Sequence, residues 1–335
     1  MKKAIIYLTL IASIIACSQK KEKPMSDITA NNIVEKITNQ VKHYPKEPFY
    51  YFYVGNSLCT YEILVNDFPI QKSFKYEQQA TPIYINSAIL KSGKQKVTYR
   101  IYPAPAEFNG GKDTFSPNTK FDVEVCVNDN ARGLQVEEET LVTEHKAPIK
   151  IRMGGSNNDI AVKEFEGKGQ KYYEHSFYFD AIVPYNNEGW GNGQDLTKLN
   201  QKDLEKAVVN FHKEYKKIYD DKLADELAQN LYGLMNRNGI SEYQDKKEIK
   251  EIWTECLEML NIKKEFMPLD NYKLGFYGDG KIICLLQTDE QDIRLKGKSA
   301  LWFKCDTPEG KMRRFLGLYL YLPQGKSLNE LQVIR

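Results

Sequence analysis

Residues 185–195 read Tyr-Asn-Asn-Glu-Gly-Trp-Gly-Asn-Gly-Gln-Asp, and the hydrophobic period of the chain changes across them. Glycine and asparagine at this density favour turns over any regular element. On the N-terminal side, from Phe49 to about Val183, the period is two. It predicts strands over Phe49 to Val54, Leu58 to Val65, Pro82 to Ile85, Lys94 to Tyr102, Phe121 to Val127, Ile149 to Arg152 and Tyr173 to Val183. Asn56-Ser57, Asn66-Asp67, Ser92-Gly93 and Asn109-Gly110-Gly111 supply turn chemistry between them. Short strands with no helical pattern between them indicate an antiparallel β-sandwich over 31–185. It is preceded by a short helix within Asp27 to His43, where Ile33, Ile37 and Val41 form one stripe.

On the C-terminal side the period is 3.6. Leu204, Val208, Phe211, Tyr215, Ile218 and Tyr219 make one apolar face, with Asn200 as N-cap. Leu223, Leu227, Leu231 and Leu234 continue the stripe as a second helix that Asn236 to Gly239 should stop. Ser241 with Gln244 reads as the capping box of a third helix, whose face includes Ile249, Trp253 and Leu260. Strands return at Tyr272 to Tyr277 and Lys281 to Gln287 around the hairpin signal Asp279-Gly280, and at Ser299 to Cys305 and Arg313 to Leu322. The expectation is a β-rich α+β chain, with helices packed on an antiparallel sheet over 195–335 behind the sandwich. The 185–195 segment should be an exposed linker.

The chain has 335 residues, 47 Lys and Arg against 45 Asp and Glu, and 41% hydrophobic residues, enough for a substantial core. Without Lys2 and Lys3 the charges balance, which counts against nucleic acid as a main partner. Those lysines precede an apolar stretch, Ala4 to Ala16, too short to span a hydrocarbon core that needs ~20 residues. A basic start followed by an apolar region of this length reads as a secretory signal. Ile14-Ile15-Ala16-Cys17 then resembles the lipobox of bacterial lipoproteins, a likeness confined to residues 1 to 19. The resemblance implies removal of residues 1–16, acylation of Cys17 and a lipid anchor in the cell envelope. Residues 17–30 would form a polar, lysine-bearing tether. Ser18, where an Asp would retain such lipoproteins elsewhere, points to the outer membrane.

Catalytic and metal signatures are weak. Cys59, Cys126, Cys256, Cys284 and Cys305 show no Cys-x-x-Cys and no spacing matched to histidine, so no zinc site is expected and buried thiols are favoured. Cys284 and Cys305, on separate expected strands, are the pair most open to a disulfide. His175 shares a strand face with Tyr173, Phe177 and Phe179, so it cannot serve Ser176, which points the other way. His43, His145 and His212 lie among charged residues and read as solvated. The oxygen ligands Asn186, Asn187, Glu188, Asn192 and Asp195 do not match an EF-hand. Gly154-Gly155 before Ser156 lacks a phosphate-loop context, and no cofactor is expected.

Tyrosine is abundant, at 22 residues with 15 Phe and 3 Trp. If Arg313 to Leu322 is one strand, Leu316, Leu318, Leu320 and Leu322 line one face and Phe315, Tyr319 and Tyr321 the other. That aromatic face is the candidate binding surface. The function expected is therefore non-enzymatic: a membrane-anchored envelope protein that binds a protein partner, with a protective, immunity-like role as one form. Carbohydrate binding on an aromatic platform is the alternative. A hydrolase built from Asp122, Glu124, Glu174 and Asp180 ranks third.

Overall fold

A computed structural model describes residues 27–154, 160–288, 295–308 and 310–335. The signal segment, Cys17, the tether up to residue 26, and the Gly155 and Ser156 positions lie outside the described residues. The N-terminal half runs α1 (Ile33–Thr38), β1 (Pro48–Ser57), β2 (Cys59–Val65), β3 (Phe68–Ser73), β4 (Ile83–Tyr84), β5 (Gly93–Pro103), β6 (Lys120–Asp129), β7 (Thr140–Lys146), β8 (Ile149–Gly154), β9 (Ile160–Phe165) and β10 (Tyr173–Ala181). Two antiparallel four-stranded sheets result, ordered β4-β1-β6-β7 and β10-β5-β2-β3, with β8 and β9 as a separate hairpin. The aromatic run on β1 is covered on both faces. Tyr50 and Phe52 meet Phe179 at 5.9 and 6.5 Å between ring centroids, while Phe49 and Tyr51 meet Tyr84 at 5.1 and 6.2 Å. Phe121 of one sheet packs on Tyr61 and Tyr99 of the other.

In this half three strands go beyond the sequence reading. β3 follows β2 through Asn66 and Asp67, whose φ angles of 52° and 57° are those of a primed hairpin turn. Its Pro69 and polar Gln71-Lys72-Ser73 masked it, but β3 is an edge strand, where a proline loses no ladder bond. β7 adds a polar edge to β6, and β9 pairs with β8.

The C-terminal half runs α2 (Gln201–Asp220), α3 (Ala224–Ser241), α4 (Lys246–Asn261), β11 (Lys264–Phe266), β12 (Tyr272–Tyr277), β13 (Ile282–Gln287), β14 (Trp302–Thr307), β15 (Gly310–Phe315), β16 (Tyr319–Tyr321) and β17 (Gln332–Val333). Its sheets are β11-β14-β15 and β12-β13-β16-β17. The Asn200 side chain accepts from the Lys202 and Asp203 amides and starts α2 as expected. Two helix boundaries are corrected. α3 runs through Asn236 to Gly239 and ends at Ser241, because its packed face outweighs the low helix propensity there. The capping box of α4 is Asp245 with Glu248, not Ser241 with Gln244. The expected strand Arg313 to Leu322 is broken near Gly317: Phe315 ends β15 in one sheet, and Tyr319 begins β16 in the other. The chain is thus β-rich α+β, as expected.

The two halves share a core. Trp190 stacks on Phe68 of β3 at 4.4 Å and 11°, and Tyr185 lies 5.8 Å from Tyr243, which follows α3. Both Trp190 and Tyr185 are buried, at 4% and 6% exposure. Tyr185 and Trp190 thus tie the 185–195 segment to the core, while Asn186, Glu188, Gly191 and Asn192 are exposed. One buried cluster joins Phe52, Ile63 and Val97 to Ile282, Cys284 and Ile334.

Candidate functional site

Where the halves meet, a charged network is built from both. Tyr277, at the end of β12, donates its hydroxyl to Glu62 Oε1 on β2 at 2.9 Å and accepts from Lys72 Nζ on β3 at 2.8 Å. Lys72 is also 3.3 Å from the same carboxylate. Arg100 on β5 donates to Glu62 Oε2 at 3.1 Å and to Glu174 on β10 at 2.8 Å. These residues are cross-strand neighbours: the register pairs Glu62 with Lys72 and with Arg100, and Glu174 with Arg100. Glu62 is 5% exposed, so its charge is held in place by these donors. Burial and the neighbouring Glu62 carboxylate push the Tyr277 hydroxyl far above its ordinary pKa, so it stays protonated and can donate.

Beside this network lies a cleft of about 220 Å³ between β3 on one side and β13 and β16 on the other. Lys72, Lys298 and Arg335 bring positive charge to its lining, and Phe315 and Tyr319 bring rings. No described lining residue is acidic. The Arg335 guanidinium carbon sits 5.5 Å from the Phe68 ring and 5.8 Å from the Tyr319 ring, and one of its nitrogens donates to the Ile70 carbonyl at 2.9 Å. Main-chain bonds between Arg335 and Tyr319 fix Arg335 against β16. Cys284 faces the same cleft, and burial pushes its thiol up to about 12, so it is an inert wall rather than a nucleophile.

The expected aromatic face is thus divided. Phe315 stacks on Trp302 at 5.5 Å and reaches the cleft from the end of β15. Tyr319 reaches it from β16, with its ring 5.7 Å from that of Tyr277. Tyr321 lines a different depression with Glu188, Lys281 and Gln324, and its hydroxyl donates to Gln332 at 3.0 Å. Lys72 and Arg335 were missed, the first because β3 was not recognised. Arg335 is far in sequence from every residue it meets; the Asn66-Asp67 turn was the usable signal for Lys72.

The remaining sequence candidates are not gathered into one site. Asp122 and Glu124 lie on β6, whereas Glu174 and Asp180 lie on β10 of the other sheet, and Glu174 is engaged by Arg100. Two histidine readings are corrected. His212 has no exposed surface, because it falls on the apolar stripe of α2. His145 stacks on Phe177 at 4.4 Å and on His175 at 5.2 Å, and burial with the neighbouring His175 lowers its pKa. The five described cysteines are all free thiols, with Cys284 and Cys305 on strands of different sheets. Among the described residues no cluster of His, Cys, Asp or Glu has the makings of a metal site, and no helix is long and apolar enough to cross a membrane.

Comparison with protein-family models, with curated proteins and with solved structures finds no match to this chain.

Proposed function

We propose that this chain is an acylated lipoprotein of the bacterial cell envelope, anchored through Cys17, most readily in the outer membrane. Its folded body binds a protein partner at the membrane surface and performs no catalysis, and an immunity-like role is one form such binding takes. The anchor rests on the ordered signal of Lys2-Lys3, Ala4 to Ala16 and Ile14-Ile15-Ala16-Cys17. The binding role rests on one observation: a cleft that combines ring faces from Phe315 and Tyr319 with the cations Lys72 and Arg335, and no acid among its described lining residues. Aromatic and arginine side chains in a partly enclosed recess are the groups that anchor protein interfaces. We also infer that the two N-terminal sheets pack face to face as a sandwich, which the contacts of Phe121 with Tyr61 and Tyr99 support.

The test is affinity capture from detergent-solubilised envelope with the acylated protein as bait, beside a Phe315→Ala bait of unchanged melting temperature. A stoichiometric protein retained by the first bait and reduced on the second supports the reading. Capture of none, or equal capture by both, contradicts it.

A further inference from the structure

We propose that the cleft between β3 and β16 receives the C-terminal residue of the protein partner, with the terminal carboxylate on Arg335. This rests on the protein-partner reading above and names the part of the partner that is held.

Among the described residues the guanidinium of Arg335 is positioned by rings and a carbonyl and faces no carboxylate side chain. Phe68 and Tyr319 flank it at 5.5 and 5.8 Å, and its acceptor among the described residues is the Ile70 carbonyl at 2.9 Å. A guanidinium carries five N–H donors in a planar fork, so one carbonyl leaves donors over, and two rings fix their direction. A carboxylate is the acceptor that matches such a fork in both charge and shape. Lys72, by contrast, is already matched to Glu62 at 3.3 Å, so it adds field more than a free donor. Lys298 sits exposed at the rim, where it adds to the same field.

Size separates a chain terminus from an acidic side chain in mid-chain. The cleft holds about 220 Å³, below the ~300–1,000 Å³ of sites that enclose a drug-sized ligand. That is room for about one residue, whereas an internal residue would need space for main chain on both sides of it. Leu286, Leu318 and Phe315 give the last side chain an apolar wall. Among the described strands β3 pairs with β2 alone, so its other edge can run beside the incoming main chain.

The probe is a fluorescein-labelled hexapeptide, Gly-Ser-Gly-Ser-Ala-Leu, with a free terminal carboxylate, compared with the same peptide as its terminal amide. Fluorescence anisotropy with the protein from residue 18 onward should show saturable binding of the acid and at least tenfold weaker binding of the amide. Arg335→Gln should remove that preference while Lys298→Ala weakens both peptides modestly, each variant being checked for an unchanged melting curve. If Arg335→Gln does not fold, the acid–amide comparison on the wild-type chain decides alone. Equal affinity for acid and amide, or no saturable binding of the acid up to 5 mM, overturns the proposal. Equal affinity together with a protein captured from the envelope would overturn the terminus and leave the partner standing. A clear acid preference with no protein captured would support the carboxylate site and contradict the partner.

Discussion

His212 lies on α2 with no exposed surface, its Nδ1 2.8 Å from the Val208 carbonyl oxygen. Burial depresses its pKa to about 4, so the folded protein holds it neutral. In the unfolded chain an imidazole titrates near ~6.5. The unfolded state therefore takes up a proton first as pH falls, and the folded state loses stability between about 6.5 and 4. The loss reaches roughly 3 kcal/mol once both states are protonated. Glu242 acts with the opposite sign: burial raises its carboxyl to about 7, so it favours the folded state at low pH and disfavours it as pH rises through that value. Urea unfolding at pH 7 and pH 4.5 should show a smaller drop for His212→Leu than for the wild type. An equal drop would mean that His212 is solvated, as its charged sequence neighbours had suggested. Position 212 falls four after Val208 and three before Tyr215, so the helical period carried a signal that the reading of His212 from its charged neighbours left unused.

The turn between β12 and β13 places Gly278, Asp279 and Gly280 at φ 60°, 53° and 82°. A Cβ on Gly280 would lie 2.8 Å from Asp195 Oδ1, the atom that also accepts from the Thr197 amide and hydroxyl. Gly280→Ala should thus cost about 1–3 kcal/mol, read as a lowered melting temperature; an unchanged melt would show that the turn relaxes freely. On β16, Tyr319→Ala should cost clearly more than Tyr321→Ala, because Tyr319 packs against Tyr277 and Arg335 while the Tyr321 hydroxyl bonds only near the surface. Equal costs would contradict the division of the aromatic face between two depressions. The elements that were legible in sequence are those whose own pattern carries the signal, such as the α2 stripe and the Asp279-Gly280 hairpin. β3 and the break at Gly317 were not, since an edge strand needs no alternation and a chain that changes sheets keeps its period across the change. The cleft was half legible for the same reason: Phe315 and Tyr319 stood in one pattern, Lys72 was signalled only by the Asn66-Asp67 turn, and Arg335 arrives by tertiary pairing.

The two halves are joined through Trp190 on Phe68, through Tyr277 on Glu62 and through Asp67, whose carboxylate accepts the Asp279 amide at 2.9 Å. With so much of the core shared, thermal unfolding of the protein from residue 18 onward should be a single transition, and limited proteolysis should spare 185–195. Two transitions, or early cleavage at that segment, would restore it as a linker. Among the described residues no helix is long and apolar enough to cross a membrane, and the anchor we propose is Cys17 with the signal before it. Acyl chains added there would supply the more than one hydrophobic signal that stable anchoring requires. Metabolic labelling with a radioactive fatty acid, followed by separation of membrane and soluble fractions, compares the wild type with Cys17→Ser. The wild type should carry label in the membrane fraction, and Cys17→Ser should carry none and leave it. Undiminished labelling of Cys17→Ser would contradict the lipoprotein account.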